Sequence, residues 1–252
     1  MQDQGKRFSG KTVIVTGGAS GIGRAAVLLL ASEGANVGIL DRSVTGASDT
    51  VAEVEAAGGK AMAVAVDITV SADVDAAFQS VVNAFGALHS MINCAGIVGG
   101  ATAADTDDAL WQRNISINLD GAFFCCRAAL KHLQSGGSIV NIGSITGIHP
   151  GIGRAAYAAA KAGVHGLTRS IAVDYAKAGI RANSVAPGPV FTPLTRERFA
   201  APEIGAKIAA AVPLGRYAQP EEIAKPAIFL ASEDANFITG QILIADGGFT
   251  VP

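Results

Sequence analysis

Tyr157 and Lys161 stand four residues apart in the stretch GRAAYAAAKAGV, Gly153 to Val164, with only alanine between them. Alanine is the strongest helix former, and residues four apart on a helix share a face. The spacing therefore sets a phenol beside an ammonium. Pairs like this also decorate ordinary solvated helix faces, so the pair alone fixes no chemistry. The chemistry it permits is proton exchange by a tyrosine of lowered pKa. Bringing a phenol from about 10 to about 7 takes roughly 4 kcal/mol of differential stabilisation. A fixed cation in a partly dry site supplies a good part of that.

A second group of residues points to phosphate. VTGGASGIG, Val15 to Gly23, joins an apolar run to a helical one and carries Gly17, Gly21 and Gly23. Glycines at such a junction permit a tight turn and let a pyrophosphate approach the backbone. The helix behind them offers free N–H groups and a partial positive charge. The spacing is T-G-x-x-x-G-x-G, a variant of the G-x-G-x-x-G loop. Asp41 follows at the end of the next apolar run. A carboxylate there accepts hydrogen bonds from the hydroxyls of an adenosine ribose.

These groups have to be placed by secondary structure, and the chain alternates two patterns from end to end. KTVIVTGG reads as a buried strand, GRAAVLLLASEG as a helix closed at Gly34, and NVGILDR as a strand ending at Asp41. A helix over VTGASDTVAEVEAAGG and a strand over KAMAVAVDIT follow. SADVDAAFQSVVNAFG reads as a helix capped by Ser71 and ended by Gly86, and LHSMINCAG as a fourth strand. Asp107 to about Gln134 reads as one long helical segment, and GSIVNIGS as a fifth strand. After the Tyr157 helix come a strand over IRANSVAPGPV, a helix over QPEEIAKPAIFLAS in spite of Pro226, and a last strand over GQILIADGG. Strand–helix alternation of this kind predicts an α/β fold, with a parallel sheet of about seven strands and helices on both faces. Nothing marks a linker, so residues 1–252 read as a single domain.

Composition narrows the function classes. The chain is 50% hydrophobic and 16% charged, with a formal net charge of −2. No basic stripe suggests nucleic acid, and no charged block suggests a disordered tail. The three cysteines, Cys94, Cys125 and Cys126, lie in apolar surroundings and read as buried, reduced thiols. No ligand cluster suggests a metal. The start, MQDQGKRFSGK, lacks an apolar signal core. The longest uncharged run, about Leu133 to Gly153, is broken by Gly, Ser, Asn and Pro and makes a poor membrane span. The expectation is a soluble protein of a reducing compartment, the cytoplasm.

From about Lys11 to Gly248 the chain resembles the short-chain dehydrogenase/reductase family. The resemblance rests on TGGASGIG, Asp67 before Ile68, NCAG at Asn93 to Gly96, and NLDG with Asn118. It continues through Ser144, YAAAK, PGPVFT at Pro187 to Thr192, and the terminal DGG. It implies a Rossmann-type fold, a nicotinamide cofactor, and interconversion of a secondary alcohol and a ketone by hydride transfer. Asn118, Ser144, Tyr157 and Lys161 would form the catalytic tetrad. Tyr157 would exchange the substrate proton, Lys161 would lower its pKa, Ser144 would polarise the substrate oxygen, and Asn118 would anchor a water leading from Lys161 to solvent. Gly17, Ser20, Gly21, Ile22 and Gly23 would line the pyrophosphate, Asp41 would hold the ribose, and Asp67 and Ile68 would border the adenine. Asn93, Ala95 and Gly96 would support the fold and the cofactor, with Tyr157 and Lys161 also reaching it. Pro187, Gly188, Val190 and Thr192 would flank the nicotinamide. The family's commonest assembly implies a homotetramer, with the late helix and QILIADGG as interface.

Two departures from the family pattern stand in this chain. Cys94 takes the place of an asparagine or alanine, and His89 that of an aspartate, which puts a local structural contact in question. The rival readings are a sugar-nucleotide epimerase, a non-catalytic dinucleotide sensor, and an NADPH-linked 3-oxoacyl reductase of fatty-acid synthesis. The epimerases carry a different glycine loop and a longer C-terminal part, and the intact tetrad opposes a mere sensor. Asp41, and the lack of a basic residue at Ala19 or Ser20, favour NAD and oppose the NADPH-linked reductase. The substrate is not readable. Residues 190–214 are expected to form a mobile cover over its pocket. Arg196 and Arg198 either meet an acidic substrate or lie on a solvated helix face, and His149 either faces the pocket or is structural.

Overall fold

Val13 and Val15 turn to one side of the first strand and Ile14 to the other, and all three are fully buried. A strand buried on both faces has to lie inside a covered sheet. The structure, a computed structural model, describes residues 6–251. The reading of the N-terminal stretch as leaderless falls partly on residues outside these.

The seven strands are β1 (Thr12–Thr16), β2 (Asn36–Asp41), β3 (Lys60–Ala65), β4 (Leu88–Asn93), β5 (Leu133–Ile142), β6 (Arg181–Pro187) and β7 (Ile242–Ala245). They form one sheet in the order β3-β2-β1-β4-β5-β6-β7, and every pairing is parallel. The winding reverses between β1 and β4. A reversal of this kind opens a crevice at the carboxyl ends of the strands.

Helices cover both faces. On one, α1 (Gly21–Ser32), α2 (Val44–Ala56) and α9 (Pro220–Ala231) pack on Val13, Val15, Ile39 and Val185. On the other, α3 (Ser71–Phe85), α5 (Gly121–Leu130) and α6 (Ala155–Asp174) bury Ile14, Leu40, Met91 and Ile139. Cys125 and Cys126 belong to this second core, and burial pushes the Cys126 thiol up to about 12.

Three local expectations change. Ser71 does not cap α3: it is the first helical residue, Val70 precedes it, and its hydroxyl instead accepts from the Arg127 guanidinium. The long helix expected from Asp107 to about Gln134 is divided. It runs as α4 (Asp108–Ile115), a π-helical turn at Ser116–Asp120, and α5, which ends at Leu130. Leu133 already pairs with Leu88, and β5 then crosses a bulge at Gly136, whose φ is 86°. The helical period of the leucines therefore runs on in sequence past the point where the sheet captures the chain.

His89, whose departure from the family pattern put a local contact in question, makes a contact of its own to β1. Its Nδ1 accepts from the Thr12 backbone N–H at 3.0 Å, tying the start of β1 to β4. Burial, with Lys11 nearby, holds the ring's pKa below the ordinary histidine value, as an acceptor nitrogen requires.

Candidate active site

Gly17 leaves β1 with φ 69°, and a Cβ there would stand 2.9 Å from the backbone of Ala95. Glycine is needed for the loop to pass this close to the end of β4. Gly23 packs against the Gly17 carbonyl with no room for a side chain. The loop delivers the N-terminus of α1 to the crevice. Ser20 precedes α1 but its side chain does not cap it. The first-turn N–H groups and the exposed hydroxyl are thus left to an outside acceptor.

Asp41 closes the same end. Its carboxylate accepts from the N–H of Ala19 at 3.0 Å and from that of Ser43 at 2.8 Å. Two backbone donors fix its orientation and leave its other lone pairs to the cleft. Gly17, Ser20, Gly21, Ile22, Gly23, Asp41, Arg42, Asp67, Ile68, Ala95, Gly96 and Thr192 line this cleft. Asp67 is held below the usual carboxylate range by hydrogen bonds from the N–H and hydroxyl of Thr69. Free N–H groups, a hydroxyl, an oriented carboxylate and apolar Leu40, Val66 and Ile68 fit a dinucleotide's phosphate, ribose and base in turn.

Four of the residues expected at the cofactor stand behind this wall. Asn93 is buried, accepts from the Thr16 hydroxyl at 2.7 Å, and donates to Asn141. Thr16 in turn accepts from the Ala95 N–H, so Asn93 supports the turn that bears Ala95 and Gly96. Pro187 ends β6, Gly188 donates its N–H to Ala245 at 3.0 Å, and Val190 is buried in a bridge with Ala218. Cys94 departs from expectation in the other direction. It is half-buried and lines the cleft, with desolvation pushing its thiol up to about 12.

The tetrad residues converge from three places, the π-helical turn, the loop after β5 and α6, and are all buried. Asn118 sits in the centre of the π-helical turn and its Oδ1 accepts from Ile97 N–H at 3.0 Å. Lys161 donates to the Ile142 carbonyl at 2.9 Å. A Cβ on Gly96 would stand 2.7 Å from Asn118 Oδ1 and 3.7 Å from Lys161 Nζ, so the two groups meet over a backbone that has room only as glycine. Ser144 ends the loop from β5, and its Oγ accepts from Thr146 N–H at 3.1 Å. That bond occupies a lone pair and leaves the hydroxyl proton for another acceptor.

Burial and charge act on Tyr157 in opposite directions. Burial raises its pKa above the ordinary phenol value, opposed first by the Ser144 hydroxyl and then by the charge of Arg154. Lys161, with its ammonium 5.9 Å from the phenol ring centre, is itself pushed down to about 8 by burial. Arg154, half-buried and three residues ahead of the phenol, adds a second positive charge that draws it downward. The sequence signal was the same adjacency that singled out Lys161, read in the other direction.

His165 is the other residue that sequence reasoning missed. Buried one helical turn beyond Lys161, it donates from Nε2 to the Ser144 carbonyl at 3.0 Å, with Ser184 Oγ 3.1 Å from Nδ1. A carbonyl only accepts, so Nε2 carries the proton. Burial lowers the ring's pKa. His149 and Arg196 are both exposed, whereas Arg198 comes near enough to Arg154 to lower its pKa.

Comparison with known proteins follows this geometry along the whole chain. The family described as Enoyl-(Acyl carrier protein) reductase matches residues 17–250. The chain is 43% identical to cis-4-hydroxycyclohexanecarboxylate dehydrogenase of Sinomonas cyclohexanicum over 249 residues, 98% of this chain and 99% of the relative. It is 41% identical to 3beta-hydroxysteroid dehydrogenase 1 of Eggerthella lenta, covering 97% of this chain and 95% of the relative. Its structure superposes on the crystal structure of gox2181 with a TM-score of 0.94 and 39% identity, covering all of both chains.

Proposed function

The chain belongs to the short-chain dehydrogenase/reductase family, and from that premise we propose that it is an NAD-dependent dehydrogenase of cyclic secondary alcohols. It is an oxidoreductase acting on CH–OH and C=O groups, as its relatives are. A nicotinamide cofactor, when bound, carries the hydride. The observation that carries the reading is the convergence of Ser144, Tyr157, Lys161 and Asn118 beside a cleft built for a dinucleotide.

The chain's own groups handle the proton. Ser144 directs its free hydroxyl proton to the substrate oxygen and polarises it. Tyr157 takes the carbinol proton in oxidation and returns it in reduction. Lys161, Arg154 and the positive nicotinamide of a bound oxidised cofactor favour the phenolate that oxidation needs, against the opposing effect of burial. Lys161 and Asn118 give the proton a route past Gly96 towards solvent. Residues 1–252 act as one catalytic and dinucleotide-binding domain, with 190–214 covering the substrate. The protein works in the cytoplasm as a homotetramer, without nucleic acid or membrane as partner.

Asp41 supports NAD over NADP. A 2′-phosphate would lie close to this oriented carboxylate and displace the ribose hydrogen bonds to it. Two unit charges about 4 Å apart repel by about 4 kcal/mol at an effective dielectric near 20. Exposure and screening reduce this to roughly 1.4–4 kcal/mol, a preference of about ten- to a thousandfold. Arg42 is exposed beside the same cleft and softens the discrimination without reversing it, because its reach is long and Asp41 is pinned. The test is kcat/KM with both cofactors on a panel of ring alcohols, for wild type and Asp41→Ala, with Tyr157→Phe as the chemical control. Wild type should prefer NAD, Asp41→Ala should lose the preference, and Tyr157→Phe should bind cofactor but keep under a tenth of kcat. Equal or better use of NADP by wild type would overturn the cofactor assignment and reinstate the NADPH-linked 3-oxoacyl reductase.

A further inference from the structure

The segment that follows Val190 has little core of its own. It carries α7 (Arg196–Ala200) and α8 (Pro202–Ala211). Among the described residues, α7 buries none and α8 buries Gly205 alone. Leu194 and Ile204 are exposed. Helices of five and ten residues are too short to persist by propensity, so a tertiary contact has to hold them.

Tyr217 makes that contact. Its ring stacks on Phe199 of α7, with ring centres 4.4 Å apart and planes 13° from parallel. Its hydroxyl donates to the carbonyl of Gly205 in α8. A Cβ on Gly205 would stand 2.9 Å from the Tyr217 hydroxyl and collide with the Phe199 carbonyl, so the three residues meet where only glycine fits. One side chain joins both helices.

Tyr217 itself stands on fixed chain. Ala218, beside it, donates to the Pro189 carbonyl and accepts from the Phe191 N–H, each at 2.9 Å. Arg216, on its other side, forks onto the Glu222 carboxylate in the first turn of α9 with two bonds of 2.7 Å. Both ends of the segment are held without Tyr217. At the start, the Thr195 hydroxyl accepts from Thr192 N–H at 3.0 Å and donates to the Val190 carbonyl at 2.6 Å. At the end, Val212 is buried and Leu214 donates its N–H to Gly247 at 3.2 Å. What lies between the two ends rests on one stack and one hydrogen bond.

We infer that Tyr217 is the latch of the substrate cover, a positioning residue that holds α7 and α8 closed as one piece. Breaking its stack and its hydrogen bond opens the cover while the ends stay fixed. An aromatic pair and a single hydrogen bond make a weak joint, and elements held this way open long before the core unfolds. A closed cover keeps water from the reacting carbon, and an open one admits alcohol and releases ketone. A substrate that binds under the closed cover loses apparent affinity as the cover opens, whereas the closed complex turns over at an unchanged rate.

The role of the cover rests on the dehydrogenase reading, and two measurements keep latch and reading apart. The first is limited digestion with trypsin, followed by mass spectrometry of the fragments. Arg198 and Lys207 are exposed on α7 and α8. A protease cuts a helix only after it opens, so the cleavage rate at these two sites reads the open fraction. Tyr217→Ala should be cut there at least tenfold faster than wild type, with cleavage elsewhere unchanged. Tyr217→Phe, which keeps the stack and loses the hydrogen bond, should fall between the two. The second is steady-state oxidation of cyclohexanol. KM for the alcohol should rise at least threefold in Tyr217→Ala, with kcat and the NAD dissociation constant within twofold of wild type. Equal cleavage of wild type and Tyr217→Ala would overturn the latch, and so would a fall in kcat at unchanged KM. Faster cleavage in Tyr217→Ala, in a protein that oxidises no alcohol, would uphold the latch and overturn the dehydrogenase reading instead.

Discussion

Lys161 is the residue where function most plainly opposes stability. Its ammonium is buried, hydrogen-bonded to one carbonyl, and pushed down to about 8 from an ordinary 10.5. An unfolded lysine holds its proton until near 10.5, whereas the folded one releases it near 8. Between those values the unfolded chain binds more protons, so stability rises with pH across that window, and below it the whole cost is present. Lys161→Met fills the same volume without charge. It should be more stable than wild type at pH 7 by about 1–2 kcal/mol, less than the full shift implies because Ile142 loses its donor. Thermal unfolding of both proteins at pH 7 and pH 10 reads this directly. The gap should narrow at pH 10, and a wild type already the more stable at pH 7 would contradict it.

At the scale of elements, the strands and most helices were legible because burial on two faces leaves continuous apolar runs that solvent-exposed segments cannot imitate. The glycine loop was legible for a related reason, since its three glycines answer to steric demands at fixed places. The π-helical turn was not. Residues Ser116–Asp120 differ from α-helix only in which carbonyl each N–H chooses, and no side chain announces that choice. Yet this turn aims Asn118 at Ile97 and Lys161. The division of labour between Asn93, which braces, and Ala95, which lines, was equally hidden, because both belong to one motif. The α6 helix carries a further consequence. His165 fits against Gly143 and Gly147, where a side chain would collide with its ring, and holds the Ser144 carbonyl from below. It acts as a positioning residue for Ser144. His165→Leu removes one of that carbonyl's two donors, leaving the Gly147 N–H at 3.0 Å, and costs about 1 kcal/mol of stability. It should lower kcat at least tenfold while leaving the NAD dissociation constant within twofold. His165→Gln, with an amide donor, should recover much of kcat. Loss of cofactor affinity in parallel with kcat would mark the residue as merely structural.

The whole molecule leaves two apolar faces uncovered. One follows the end of the sheet, where β7 has a single neighbour and Leu243 and Ile244 are exposed, with Phe237 fully exposed just before it. An open strand edge bearing apolar side chains is a template for association unless something covers it. The second face runs along α5 and the end of α6, where Phe123 and Tyr175 are exposed around the Arg127 guanidinium, which lies 5.2 Å from the Phe123 ring centre. Each face, paired with itself about a two-fold axis, makes an isologous contact, and two such contacts on different sides of one chain close a tetramer of dihedral symmetry. Light scattering at micromolar concentration should therefore return four times the 25.3 kDa chain mass. Ile244→Glu places a charge in the sheet-edge contact alone and should halve that mass, leaving dimers joined through α5 and α6. The same variant should keep its secondary structure, because Ile244 is exposed and supports no part of the core. A wild type that scatters as a monomer would show that neither face is an interface, and a variant that stays tetrameric would exclude the β7 edge.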